Sequence, residues 1–535
     1  MTTKSFNLCD EPWIRVRDAT GVREVSLRGV LADAHEITAP AGEVPTQDVS
    51  ILRLLLAVLY RSVDDDGYPE DVWRELWKAP TLPTQQIDAY LDTWRHRFDL
   101  LDDTAPFFQV AGLSASKTSG LHKLIADVPD GYPYFTTRAG AELESLSFAE
   151  AARWLVHAQA YDPSGIKTGA VGDPRVKGGK GYPIGTGWAG KCGLVLLEGN
   201  TLKETLLLNL VLGMRESDDD PDLPLWERPP LGPAEERGHT EPLGPADLYT
   251  WPSRRMALHT QGDRVVDVQL SNGDRLDPQN RHAVEPMSAW RRSANQEKKL
   301  GGTVYMPRTH DPARALWRGL SGLLVQEPQG GAVRDTVESI APHSLRWLAT
   351  LEMAGVVDAD LLVRLRGVGI TYGTQSASIE SVFDDALLLP VAATTVPEVR
   401  DAALVAAEIG EKAALECGWL AANLAVAAGR MPDGPRDRER DWAFHTVGLE
   451  YGRWLSSLDS TTDLEAALAR WRTTVAGVVE PRGDVLVRDA GEVAVIGRSG
   501  PRGWMDAAIA HRNFRRSLAK ILRPEQTTER KESTS

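Results

Sequence analysis

From residue 396 onward, apolar residues recur at helical spacing in four stretches, at about 396–428, 437–458, 463–478 and 503–522. Pro432, Gly434, Pro481, Gly483, Gly500 and Pro501 punctuate the gaps between them. Long amphipathic helices with short connections bury their stripes best against one another. This part of the chain is therefore expected to form an antiparallel four-helix bundle.

The preceding residues mix periodicities. Trp13–Val16 and Glu24–Leu27 are β-prone and flank a turn at Asp18–Gly21. Helical spacing follows from about Thr46, where Ile51, Leu54, Leu55, Val58 and Leu59 share a face. It recurs at Asp71–Trp77, Thr84–Phe98, Ala313–Leu324 and Ser344–Ala354. Ser147-Phe-Ala-Glu150 carries a capping-box pattern and opens a helix to Ala160. Leu194–Leu197 reads as a buried strand, and 263–310 as strand-rich. The chain of 535 residues is long enough for several domains. It divides here into an α+β N-terminal domain, residues 1–382, and the helical bundle with a polar tail, residues 383–535.

Two stretches resist regular structure. Residues 161–193 are rich in glycine, with Lys167, Arg175, Lys177, Lys180 and Lys191 among them. Glycine costs a helix about 1 kcal/mol per position, so a long, mobile surface loop is expected. Residues 216–247 are first acidic and then proline-rich, the composition of a solvated linker.

Composition narrows the function. The net charge of -15 is the wrong sign for a protein that coats nucleic acid unaided. Contact with DNA or RNA must then use local basic patches or partners that supply positive charge. The three cysteines, Cys9, Cys192 and Cys417, form no CxxC pair, which argues against disulfides and a cysteine zinc site. Reduced thiols, no basic-then-apolar leader in Met1–Asp10, and no apolar run of bilayer length together read as a cytoplasmic protein without membrane contact.

Catalytic motifs fail on context. Gly185-Thr-Gly187-Trp-Ala-Gly190 matches GxGxxG, but a strand-like run follows it where a dinucleotide site needs a helix. Gly178-Gly-Lys180-Gly lacks the Ser or Thr of a phosphate loop. His310-Asp311 stands without further metal ligands and reads as a turn before Pro312. No motif announces an active site, and no cofactor is expected.

Three loops remain. Tyr132-Pro-Tyr134-Phe135-Thr136-Thr-Arg138 combines aromatics, hydroxyls and an arginine, which suits base stacking, although a partly buried strand end has the same composition. The glycine-rich basic loop can bring backbone N–H groups and lysines up to phosphates, or be an ordinary surface loop. Gly373-Thr374-Gln375-Ser376-Ala377-Ser378 carries short polar side chains able to enter a minor groove, or forms a simple turn.

Asn7-Leu-Cys-Asp-Glu-Pro-Trp13-Ile-Arg-Val16 resembles the "NLxxxPWIxV" opening of the CasA family, the large subunit of the type I-E CRISPR surveillance complex, Cascade. Pro106-Phe-Phe-Gln109-Val resembles that family's "HPFxQ" segment. The loop around Tyr134-Phe135, the glycine-rich loop and Tyr372–Ile379 follow in the family's order, ahead of a helical bundle. The likeness covers nearly the whole chain.

The resemblance implies a non-catalytic subunit that recognises the protospacer-adjacent motif (PAM) in double-stranded DNA. It would start strand separation and R-loop formation, and recruit a helicase-nuclease. Its partners would be the other Cascade subunits, CRISPR RNA and target DNA. Gly373, Thr374, Gln375, Ser376 and Ala377 would form the wedge and its flanks, with Ser376 or Gln375 as the wedge itself. Ser164, Gly165 and Lys167 would belong to the glycine loop at the PAM. Arg175, Lys177, Lys180, Arg291, Arg292, Lys298 and Lys299 are candidates for the DNA path. Tyr134, Phe135, Thr136 and Arg138 would dock on the guide-RNA end. No structural zinc is implied. Two other readings stay open: an enzyme that holds a phosphorylated substrate on the glycine-rich basic loop, and a purely architectural subunit.

Overall fold

In the computed structural model of the chain, the turn at Asp18–Gly21 folds Ile14–Asp18 back onto Gly21–Val25, with Ile14 opposite Val25. Asp18 sets the turn by accepting from the Thr20 amide at 2.7 Å. The structure describes residues 4–63, 67–126, 138, 144–214, 220–237, 241–324, 338–500 and 503–524. They fall into two compact units. One comprises 1–314, 325–357 and 363–386; the other comprises 315–324, 358–362 and 387–535.

The first unit is built on two helices. Pro45–Ser62 is buried on nearly every side, and Phe148–Tyr161 packs along it. Ser147 caps the second helix by accepting from the Glu150 amide at 3.1 Å, as its Ser-x-x-Glu pattern predicts. The opening motif is structural. Trp13 is fully buried and donates to the Leu8 carbonyl at 2.9 Å. Gln109 of the second motif donates to the Leu100 carbonyl and accepts from the Leu258 amide, which fastens its segment to the strand Arg254–Gln261.

A three-stranded sheet has Leu362–Tyr372 at its centre. Leu194–Glu198 pairs antiparallel on one side, from Arg364 opposite Glu198 to Val368 opposite Leu194. Ile379–Pro390 lies on the other side. Residues 373–378 join these last two strands. Arg254–Gln261 and Arg264–Asn272 form a separate hairpin.

Two expectations need correction. Residues 161–193 are not a surface loop along their length: Asp162, Ser164, Trp188, Ala189 and Cys192 are buried, and Lys167–Thr168 pairs with Lys180–Gly181. Several glycines there serve packing. A methyl on Gly187 would lie 2.5 Å from the Ala160 backbone, and one on Gly190 would lie 2.2 Å from the Tyr372 hydroxyl. The described part of 216–247 is no solvated linker either. Trp226 is buried and donates to the Tyr90 hydroxyl at 2.6 Å. Asp222 accepts from the Ala246 and Asp247 amides at the start of the helix Pro245–Tyr249.

The second unit contains helices Pro397–Ala427, Asp433–Leu455, Leu464–Arg488 and Ala507–Ile521, and the first of them packs against the other three. Tyr451, Trp454 and Trp471 interlock at centroid distances of 5.7–5.9 Å. Trp317 joins them, 5.4 Å from Tyr451, and a methyl on Gly448 would fall 2.5 Å from its indole nitrogen. That insertion is why 315–324 belongs to this unit. The third helix runs ten residues past its expected end at 478 and through Pro481. An internal proline costs about 3 kcal/mol. Val475 and Val479 buried before it, and Gly483 seated against Phe514 after it, hold both halves in line. A short hairpin, Arg498–Gly500 with Gly503–Met505, precedes the last helix and leaves no sign in the periodicity.

Candidate nucleic-acid interface

Residues 373–378 form a closed turn. The Gly373 amide donates to the Ser378 carbonyl at 2.9 Å, and the Ser376 amide to the Gly373 carbonyl at 2.8 Å. Gln375 and Ser376 both stand in the left-handed region, at φ 57° and 55°. Two adjacent non-glycine residues there store about 1 kcal/mol or more each. Gln375 is exposed at the tip. At the base of the turn, the half-buried Tyr372 donates its hydroxyl to the Tyr161 carbonyl at 2.7 Å.

Residues 162–165 leave the end of the helix Phe148–Tyr161 and face that turn. Gly165 has φ 131°, and a methyl there would lie 3.9 Å from the Ala377 methyl. Two segments separated by some two hundred residues are thus in near contact. Between them and residues 117–126 opens a cleft of about 630 Å³, lined by Ser164, Gly165, Ala377 and Ser378 and by Lys117, Lys123, Lys167 and Lys180. Among the described lining residues, Asp162 is the one carboxylate.

Asp162 is buried and engaged. Lys167 reaches it at 2.6 Å and Arg254 donates to it from the other side. Burial opposes ionisation of Asp162, but these two cations hold its pKa below the usual value. Burial in turn lowers the pKa of Lys167. Lys167 therefore sits in the cleft wall with its charge already matched. Lys117 and Lys180 are exposed, and sequence reasoning missed Lys117 and Lys123 because no motif surrounds them. His157, also at the cleft, bonds Thr46 through Nε2 at 2.9 Å, and burial holds its pKa down at about 4.

The other expected residues lie elsewhere. Arg175 is committed to Asp173 and to Glu235, at 3.0 and 2.9 Å. Lys177 is exposed but does not line the cleft. Arg291 and Arg292 lie on the strand Trp290–Arg292, and Lys298 and Lys299 on the helix Ala294–Leu300, all outside the cleft lining. Arg292 pairs with Glu297 at 2.6 Å. Arg138 pairs with Glu150 and stands over the Trp154 ring, while Tyr134, Phe135 and Thr136 lie outside the described residues. His310 is a packing residue: Nε2 bonds the Leu194 carbonyl at 2.9 Å and the ring stacks on Phe383 at 4.6 Å. Among the described residues, no cluster of three His, Cys, Asp or Glu is placed to hold a metal, and no helix is long and apolar enough to cross a membrane.

An α+β scaffold thus sets two backbone turns side by side along one wall of a lysine-lined cleft. The family model for the CRISPR-associated protein Cse1 matches residues 7–480, and the chain belongs to that family, also written CasA. A crystal structure of Thermobifida fusca Cse1 is 42% identical with a TM-score of 0.88, over 98% of this chain and 99% of that one. The CasA/Cse1 protein of Thermus thermophilus is 34% identical over 343 residues, a match that spans only 63% of each chain. A chain of a CRISPR RNA-guided surveillance complex shares the fold, at 22% identity and a TM-score of 0.62 over 91% of this chain and 98% of that one.

Proposed function

We propose that this chain is the PAM-reading subunit of a type I-E surveillance complex, and that it acts by contact rather than catalysis. The observation that carries this reading is the placement of Gly165 against Ala377 beside the strained tip at Gln375 and Ser376. A glycine turn lets backbone approach the floor of a minor groove, where A·T and G·C are told apart only coarsely. The neighbouring tip then enters the base step. Unstacking costs a few kcal/mol, recovered when guide RNA pairs with the opened strand. Lys117 and Lys180 neutralise flanking phosphates.

Other subunits and CRISPR RNA supply most of the binding surface, which reconciles the role with a net charge of -15. The segment around Tyr134 docks on the guide-RNA end. The helical unit is a four-helix bundle that faces neighbouring subunits, and the assembled surface recruits a helicase-nuclease in the cytoplasm. A phosphate-binding enzyme is the weaker reading, because Gly187 and Gly190 are pressed against protein atoms and offer no cradle.

The test is duplex binding by the guide-RNA complex reconstituted with and without this chain, on matched targets that carry or lack a permissive PAM. PAM-dependent binding that appears only with the chain is the expected result. Identical binding and PAM preference without it would refute the proposal.

A further inference from the structure

Both turns hang from one short stretch of backbone. The helix Phe148–Tyr161 ends at Tyr161, whose carbonyl takes the Tyr372 hydroxyl from the base of the 373–378 turn. The next residues begin the glycine loop and are held by Arg254. Its Nε donates to the Asp162 carboxylate. Its Nη2 donates to the carbonyls of Asp162, Pro163 and Gly185 at 3.2, 3.1 and 2.8 Å. Its Nη1 donates to the Ser253 carbonyl at 2.8 Å. Arg254 is 1% exposed, and each of its nitrogens already donates within the protein. So buried, it does not reach a phosphate at the surface. What it supplies is position: it joins the 162–165 turn, the 185 segment and the hairpin Arg254–Asn272 at one point.

We infer that residues 161–163 are a common anchor that sets the spacing between the PAM-reading turn and the strand-opening turn, with Arg254 and Tyr372 as its positioning residues. The inference rests on the function proposed above and goes beyond it. Reading and opening are mechanically joined, because moving residues 161–163 moves both turns. The final carbonyls of a helix lack partners within it, so one can accept a hydroxyl from a distant strand. Arginine suits the other contact because its fork can serve several carbonyls at once.

The experiment uses Tyr372→Phe and Arg254→Lys in the reconstituted complex. Fluorescence of a base analogue at the first PAM-proximal pair reports opening, on an intact duplex and on a target already unpaired there. Tyr372→Phe keeps the ring's packing and removes one hydrogen bond. It is expected to slow opening of the intact duplex about fivefold, the factor a single such bond confers, with no loss on the unpaired target. Arg254→Lys is expected to lower discrimination between permissive and scrambled PAMs by a similar factor, while the salt dependence of binding stays unchanged, as for a residue that touches no phosphate. Unchanged opening in Tyr372→Phe, or an equal loss on both targets, overturns the inference. So does an Arg254→Lys complex whose salt dependence falls. A wild-type complex without PAM preference would instead remove the functional reading itself, and the anchor's role with it.

Discussion

Gly165 stands opposite Ala377 at van der Waals distance: a methyl in its place would lie 3.9 Å from the alanine methyl, and what disfavours it is the φ of 131°, which side-chain-bearing residues rarely adopt. Gly165→Ala therefore carries one penalty, about 1–2 kcal/mol of local backbone strain, which shifts the turn from its place beside Ala377. The expected outcome is at least a tenfold loss of PAM-dependent duplex affinity, a loss of about 1.4 kcal/mol. Filter binding by the reconstituted complex measures it, and a melting curve should show only a modest drop.

Gln375 and Ser376 invert the usual link between stability and function. Both hold positive φ, so glycine at either site relieves strain and leaves stability within about 1 kcal/mol of the parent. The side chain needed to enter the base step is then missing. Whichever of Gln375→Gly and Ser376→Gly slows duplex opening by about tenfold or more identifies the wedge; stopped-flow base-analogue fluorescence distinguishes them.

The lysines of the cleft should separate into two kinds. Lys117→Gln and Lys180→Gln remove exposed charges, so each should reduce the slope of log affinity against log salt by about 0.9 with no change in melting. Lys167→Gln leaves the buried Asp162 with Arg254 alone. A broken buried pair costs up to about 3–5 kcal/mol, and the remaining partner should keep this loss near the lower end. Titrations at several salt concentrations, with denaturant melts alongside, test both.

His157 makes the first unit acid-sensitive. Burial lowers its folded-state pKa from 6.5 to about 4. Between those values the unfolded chain binds a proton that the folded chain refuses. The contribution is fully present above pH 6.5 and is lost as the pH falls towards 4, in all about 3 kcal/mol. His157→Gln should flatten the pH dependence of the urea midpoint across that window. A slope identical to the parent's would show that His157 titrates normally.

Local signals were legible where they act locally. The Ser147 cap, the turn at Asp18 and the four long C-terminal helices all follow from residues a few positions apart. The extension through Pro481 was not, because what holds that helix straight is packing against Phe514 and a buried valine face. Glycine content misled in 161–193. Glycines there were read as freedom, yet several are small because Ala160 and Tyr372 press on them. Lys117 carried no motif at all, and Lys167 looked like a free cation until Asp162 was seen beside it.

Periodicity, capping pattern and the ordered short motifs were enough, in the sequence alone, to determine an α+β region followed by long helices, and the family. These features are written in neighbouring residues, so their physics needs no third dimension. That the glycine loop and the 373–378 turn meet, that Arg254 and Tyr372 fasten them to residues 161–163, and that Lys167 is matched by Asp162 were decided only by the tertiary structure. The charge and freedom of a residue depend on what stands within a few ångströms of it, and those neighbours lie tens to hundreds of positions away in the chain.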